Sequence, residues 1–189
     1  MSTKHHFSSQ EVPQAVTLTS VEGIDLFSRE AYKEILISHL KDFMIHRGLH
    51  LYAYVIMNNH LHLVAQTERG ELPALIEAFK QSTSQGIYKK LQRDFPESRR
   101  NWLLWIVENQ AKKSGDDRRY KVWQAEHEAL DLNTHRQLLT QIDHIHRNPV
   151  RAGICYTAEA YKYSSAGIYA GEAGVLAISE VIKPGVKLP

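Results

Sequence analysis

Tyr52-Ala53-Tyr54-Val55-Ile56-Met57-Asn58-Asn59-His60-Leu61-His62-Leu63-Val64-Ala65 is two short apolar runs joined by a polar Asn58-Asn59 step. That pattern predicts strand, tight turn, strand. On a strand, side chains two apart share a face. His60 and His62 then stand side by side, and Leu61 and Leu63 point the other way. Two neighbouring imidazoles suit a divalent metal, because neutral imidazole is a common ligand. The competing reading is a half-buried strand with two satisfied histidines.

Outward from this hairpin, Ala15-Val16-Thr17-Leu18-Thr19-Ser20-Val21 alternates apolar and hydroxyl residues, as a strand with one wet face does. Gly23 breaks it. Tyr32, Ile35, Leu36, Leu40, Phe43 and Met44 recur at helical spacing, with an N-cap expected at Ser28 and Gly48 just past the end. Leu49 to Met57 and His60 to Gln66 are the hairpin strands. Glu68-Arg69-Gly70 is a turn. A second helix is predicted from Leu72, with Pro73 in its first turn, ending at Phe95-Pro96. A helix rich in aromatics follows from Arg99 to near Gln110. Trp102 and Trp105 are expected in the core, since Leu103, Leu104 and Ile106 share that helix. Tyr120-Lys121-Val122-Trp123-Gln124 reads as a further strand. Thr134 to Arg147 is a third long helix, stopped by Asn148-Pro149.

The order strand, helix, strand, strand, helix, strand, helix favours an α+β fold, an antiparallel sheet with helices on one face. The 189 residues fit one domain over residues 13–170, with a loose N-terminus at 1–12 and a C-terminal extension at 171–189. No run of about 18 apolar residues exists, which speaks against a membrane partner. The single cysteine, Cys155, excludes an intramolecular disulfide and fits a reducing cytoplasm. The formal charge of +2 does not announce nucleic-acid binding, so any basic patch must be local. The densest cations are Arg99, Arg100, Lys112, Lys113, Arg118, Arg119 and Lys121, interleaved with Trp102, Trp105, Tyr120 and Trp123. Cations beside exposed rings suit single-stranded DNA, where charges track phosphates and rings stack bases. Core tryptophans with solvated charges are the alternative.

Three blocks carry a resemblance. Val55-Ile56-Met57-Asn58-Asn59-His60-Leu61-His62-Leu63-Val64 resembles the HUH motif of the single-tyrosine HUH transposases, and in particular of the REP-associated tyrosine transposases. His144-Ile145-His146-Arg147-Asn148-Pro149-Val150-Arg151-Ala152-Gly153-Ile154 and Tyr161-Lys162-Tyr163-Ser164-Ser165-Ala166 follow in the family order. The resemblance runs from about Val16 to about Ile178. It implies a ferredoxin-like, HUH transposase-like core with the His pair on a central strand. It also implies binding of single-stranded or hairpin DNA, with metal-assisted cleavage and rejoining. The family's Phe-Lys-x-x-Thr-Ser stretch has a counterpart at Phe79 to Ser84, which brings Lys80 into the DNA-binding set with Arg147 and Arg151. A solvated helix face explains Lys80 equally well. Family members occur as monomers and as dimers with exchanged helices, so a homodimer is open.

In the family, the His pair and one polar residue of the last long helix hold a divalent ion, usually Mg²⁺ or Mn²⁺. Here these would be His60, His62 and Asn148. A tyrosine one turn before the third ligand attacks phosphorus, and residues at i and i+4 project from one helix face toward one phosphate. This chain departs from that pattern, because His144 stands where the tyrosine should be. A phosphohistidine is labile and suits hydrolysis better than strand transfer. As a fourth ligand, His144 would shift the metal preference toward Mn²⁺, Ni²⁺ or Zn²⁺. Three readings stay open. They are a transposase-like DNA binder altered or inactivated at His144, a metal-dependent phosphodiesterase using His144, and a domesticated regulatory module without chemistry.

Overall fold

The computed structural model describes residues 12–67, 72–93, 96–115 and 119–180. The expectations for the N-terminal segment through residue 11, the turn at 68–70, Phe95, Arg118 and the tail from 181 lie outside the described residues.

Four strands form one sheet: β1 (Gln14–Thr19), β2 (Leu49–Ile56), β3 (His60–Thr67) and β4 (Glu128–Asp131), in the order β2-β3-β1-β4. Every neighbouring pair is antiparallel. Helix α1 (Glu30–His46) links β1 to β2, and α2 (Leu72–Gln92) with α3 (Arg100–Lys113) links β3 to β4. Each crossover skips one strand, so two split βαβ units interleave in a ferredoxin-like sheet. Right-handed crossovers put α1 and α2 on the same face, where Phe43 of α1 meets Phe79 of α2 edge-on at 5.6 Å. Leu18, Leu61, Leu63, Tyr54 and Ile56 are buried beneath them. The α+β class and the antiparallel ferredoxin-like sheet expected from the sequence are what the chain forms, but its helices are not confined to one face.

Helix α4 (His135–His146) runs across β2 and β3. A capping box starts it: Thr134 Oγ1 accepts from the Gln137 amide, and Gln137 Oε1 accepts from the Thr134 amide. α4 packs on β2 and β3, and Val55, which stands opposite His62, is fully buried, so α4 covers the face that carries the histidines. This covering explains β2. An extra residue at Tyr52 re-phases the strand, and beyond it Ala53, Tyr54, Val55 and Ile56 are all fully buried. The C-terminal chain closes the open edge of β2. The Ile56 amide donates to Tyr163 O at 2.9 Å, Ser165 N to Tyr54 O at 3.0 Å, and Ser179 N to Leu51 O at 2.7 Å. The Tyr161 to Ala166 block is therefore largely an edge seal.

Several local expectations are corrected. The α1 N-cap is Arg29, while the Ser28 hydroxyl donates to Asp25 O at 2.9 Å and makes no cap. Gly48 does follow α1, at φ 69, where a side chain would be strained. Tyr120 to Gln124 is no strand; it makes a lone bridge from Trp123 to Ser20, and the fourth strand is Glu128–Asp131. Asn148-Pro149 ends α4 but opens a further turn, α5 (Asn148–Arg151), because proline is tolerated at a helix start. A last turn, α6 (Ala166–Tyr169), follows the edge seal.

The expectation of core tryptophans on α3 fails. Trp102 is 48% and Trp105 61% exposed, while Leu103, Ile106, Val107 and Ala111 form the buried stripe. A 3.6-residue period cannot bury positions 102 and 105 together with that stripe. Trp123 takes the core place instead. Its ring lies 5.0 Å from Phe27, and its Nε1–H donates to Thr83 Oγ1 at 2.9 Å.

Candidate phosphate-handling site at the histidine pair

His60 and His62 stand on one face of β3, their ring centroids 4.7 Å apart and their planes at 81°. The turn before them is clamped. Asn58 O accepts from Phe27 N at 2.7 Å, and Asn59 O from Ser20 N at 2.9 Å. The Asn59 side-chain amide donates to Gly23 O at 3.1 Å, which orients its oxygen toward His60 Nδ1 at 2.6 Å. That oxygen can only accept, so His60 carries its proton on Nδ1 and offers a bare Nε2. His62 Nδ1 lies 2.9 Å from Thr17 Oγ1 across the β1–β3 pair, where Thr17 sits opposite His62. Both Nδ1 atoms are thus engaged; His60 offers a bare Nε2, and His62 does so when its Nδ1 donates to the Thr17 hydroxyl. Second partners of this kind fix the tautomer and aim of metal-ligating histidines.

Burial keeps both rings neutral. It pushes His60 below the usual histidine range, against the pull of Glu128 on β4. It pushes His62 down to about 3, helped by His60 and by His144. A neutral pair with both Nδ1 atoms held is chemically able to donate lone pairs.

The last turn of α4 carries His144, and the chain continues through half-buried Asn148 into α5. His144 is exposed, and Arg151 Nη1 donates to its Nδ1 at 3.2 Å. A guanidinium has no acceptor, so the His144 proton is on Nε2. Among the described residues, no three His, Cys, Asp or Glu side chains converge to hold a metal. His144 therefore does not complete a trio of imidazoles with His60 and His62. His146 turns the other way and is buried, 2.7 Å from Ser165 Oγ, and burial lowers it to about 4.

The expected DNA-binding cations divide. Lys80 is buried, donating to Glu77 at 2.7 Å and to Ala125 O at 2.9 Å. With Thr83 and Ser84 also buried and bonded back to their own helix, this stretch is neither a solvated face nor a phosphate surface. Arg99 holds the buried Glu97 together with Arg29. Arg100 donates to Gln92 O at 2.7 Å. Arg147 pairs with Asp143 at 2.9 Å. Lys112, Lys113 and Arg119 face solvent, and Lys121 is half-buried. They follow the exposed Trp102 and Trp105 in the chain, whereas Tyr120 stacks on Tyr88 at 4.2 Å.

No protein-family model and no curated protein matches the sequence. Solved structures do. One is a REP-associated tyrosine transposase bound to a REP hairpin, with a TM-score of 0.59 at 12% identity, over 98% of this chain and 96% of that one. The chain has the fold of that transposase. A candidate transposase from Deinococcus radiodurans R1 has a TM-score of 0.44 at 15% identity, over 75% and 92% of the two chains, too distant to carry an argument. The ferredoxin-like core and its histidine-bearing strand therefore sit in a fold that a transposase uses.

Thr17, Asn59 and Glu128 were missed in the sequence. Thr17 stood in a visible alternation, but only the strand register sets it opposite His62. No helix among the described residues is long and apolar enough to cross a membrane.

Proposed function

We propose that the protein is a transposase-like binder of single-stranded or hairpin DNA, acting in the cytoplasm, whose strand-joining chemistry is altered at His144. One observation carries this reading: in the fold of a hairpin-bound transposase, α4, with His144 in its last turn, packs on the two strands of a hairpin that carries an imidazole pair whose Nδ1 atoms are both held. His60 and His62, with Asn148 from the start of α5, would hold a divalent ion, Mg²⁺ or Mn²⁺. The donor set fits, since two neutral imidazoles present Nε2 and an amide supplies an oxygen. Such an ion supplies charge stabilisation at a scissile phosphate.

The chain's own residues do the rest. Thr17 and Asn59 orient the imidazoles. Arg151 holds His144 as an Nε2–H donor, which favours hydrogen bonding to a phosphate oxygen over nucleophilic attack. A stable protein–DNA ester is then lost, because no phenol stands at this place. Tyr161 and Tyr163 are buried with their hydroxyls committed to Ile56 O and Glu34, so neither replaces it.

The test is a gel shift with hairpin DNA, paired with a denaturing gel in Mn²⁺. A shift without a covalent adduct is expected, and His144→Tyr should produce the adduct. A wild-type adduct would refute the altered chemistry, and absence of any shift would refute DNA binding. Metal-dependent release of free 5′-phosphate that is lost in His144→Ala would favour the phosphodiesterase reading instead.

A further inference from the structure

We propose that Glu128 of β4 serves the histidine pair from across the sheet: its carboxylate supplies the negative charge that a divalent ion at His60 and His62 otherwise lacks, and it repels phosphate while that ion is absent. This rests on the ion-binding reading above.

The sheet register places it. Thr17 of β1 stands opposite His62 on one side and opposite Glu128 on the other. Residues directly opposite across neighbouring strands share a face of the sheet. The contact of Thr17 Oγ1 with His62 Nδ1 at 2.9 Å fixes which face that is. His62, Thr17 and Glu128 therefore form one row across β3, β1 and β4, on the histidine face. Neighbouring strands lie about 4.8 Å apart, so the backbone at Glu128 is about 10 Å from that at His62.

The face is open on that side. α4 packs on β2 and β3, where Val55 and Val64 are fully buried. Thr17 and Thr19 of β1 are only half-buried, and Glu128 and Leu130 of β4 are exposed. A phosphate that reaches the imidazoles from the open side crosses β4 and β1, and Glu128 stands on that path.

Charge gives the role. Imidazole ligates as a neutral group, and Asn148 contributes an amide, so this donor set brings no charge against a divalent ion. Mg²⁺ and Mn²⁺ favour carboxylate oxygen. Among the described residues, no three His, Cys, Asp or Glu side chains converge to hold a metal. Glu128 is thus no direct ligand and acts through a water that the ion keeps, as Mg²⁺ usually does. The same carboxylate opposes a phosphate that arrives before the ion, because charges within about 10 Å are only partly screened at 0.1 M salt.

The experiment uses the full chain. Mn²⁺ affinity is read by calorimetry without DNA, and hairpin DNA affinity by fluorescence anisotropy in EDTA. Glu128→Gln should weaken Mn²⁺ about tenfold, the scale of an outer partner of a metal site. It should tighten metal-free DNA about twofold, the scale of one screened like charge. A merely structural role would lower both affinities or neither, so the opposite signs identify the charge. Glu128→Asp keeps the carboxylate and should stay near the wild type on both counts. Glu126→Gln removes an exposed charge outside β4 and should move neither. Mn²⁺ affinity lost in His60→Ala but unchanged in Glu128→Gln overturns the role of Glu128 and leaves the ion site standing. Metal-free DNA affinity that fails to rise in Glu128→Gln, or an equal response in Glu126→Gln, overturns it too. Mn²⁺ affinity that survives His60→Ala overturns the ion site itself, and the role of Glu128 with it.

Discussion

At the scale of single residues, the side chain of Asn59 does two things at once. Its amide nitrogen closes the loop after β1 onto the hairpin, and its oxygen sets the tautomer of His60. Thr17 holds the His62 ring through its Nδ1 at 2.9 Å. Partners of this type are worth about 10- to 100-fold in metal affinity. Thr17→Val should therefore weaken Mn²⁺ binding by about tenfold in calorimetry with little change in thermal midpoint; unchanged Mn²⁺ affinity would refute the orienting role. His146 gives a pH prediction. Burial holds it at about 4 in the folded protein, below the ordinary value of 6.5. The unfolded chain then binds the proton first, so stability falls as pH drops from about 6.5 towards 4 and is level above that window. Urea midpoints of the wild type and His146→Gln should diverge in slope between pH 7 and 5, the variant being the flatter. Parallel slopes would exclude His146 as the source. Phasing decides what was readable at this scale. His60 and His62 were legible because period two is local, whereas Thr17 was not, because register is a property of two strands.

At the scale of elements, α3 shows how a helix divides its faces. Its inner stripe packs on the core, its start is moored by Glu97, and its outer face shows Trp102 and Trp105 to water. Glu97 has a buried carboxylate that pairs with Arg29 at 3.0 Å and Arg99 at 3.1 Å. Burial alone would raise its pKa, but Arg99 and Arg29 outweigh burial and hold it below the usual carboxylate range. Glu97→Gln removes the carboxylate from two part-exposed guanidiniums, of which Arg99 keeps Asp25 O and Ser28 Oγ, and should cost about 1.5 kcal/mol in chemical denaturation; a cost under about 0.5 kcal/mol would show the mooring to be idle. Trp102→Ala with Trp105→Ala should hardly alter stability, since surface changes stay within about 0.5 kcal/mol. The same pair should weaken single-stranded DNA about tenfold if the rings stack bases. Fluorescence anisotropy with unpaired and fully duplex probes separates stacking from general loss, because only the unpaired probe should respond. The outward face of α3 was recoverable from sequence by phasing Leu103, Ile106, Val107 and Ala111. The true β4 was not, since Glu128-Ala129-Leu130-Asp131 is too short to show a period and becomes a strand only beside β1.

At the scale of the molecule, charge is weakly positive and unevenly available. With a formal charge of +2, and with Lys80, Arg99, Arg100 and Arg147 committed to internal partners, the cations of the expected DNA-binding set left to face solvent among the described residues are chiefly Lys112, Lys113 and Arg119, with half-buried Lys121. Lys112, Lys113, Arg119 and Lys121 neutralising one phosphate each would give a log–log salt slope of about −3 on a single strand. A slope near −7 or steeper, measured by titration from 50 to 300 mM salt, would mean that the committed arginines are released on binding.

Composition, periodicity and the three sequence blocks by themselves determined the α+β class, the hairpin with its two histidines on one face, and the order of the elements. These depend on spacing along one segment, which a chain carries wherever it folds. The tertiary structure alone decided which ring nitrogen of His60 is left for a ligand, that Arg151 donates to His144, that Trp123 is core while Trp102 and Trp105 are not, and that a cavity lies between α4, α5 and α6. Each of these needs two segments, distant in sequence, to meet at a set register and depth. No local period records where they will meet.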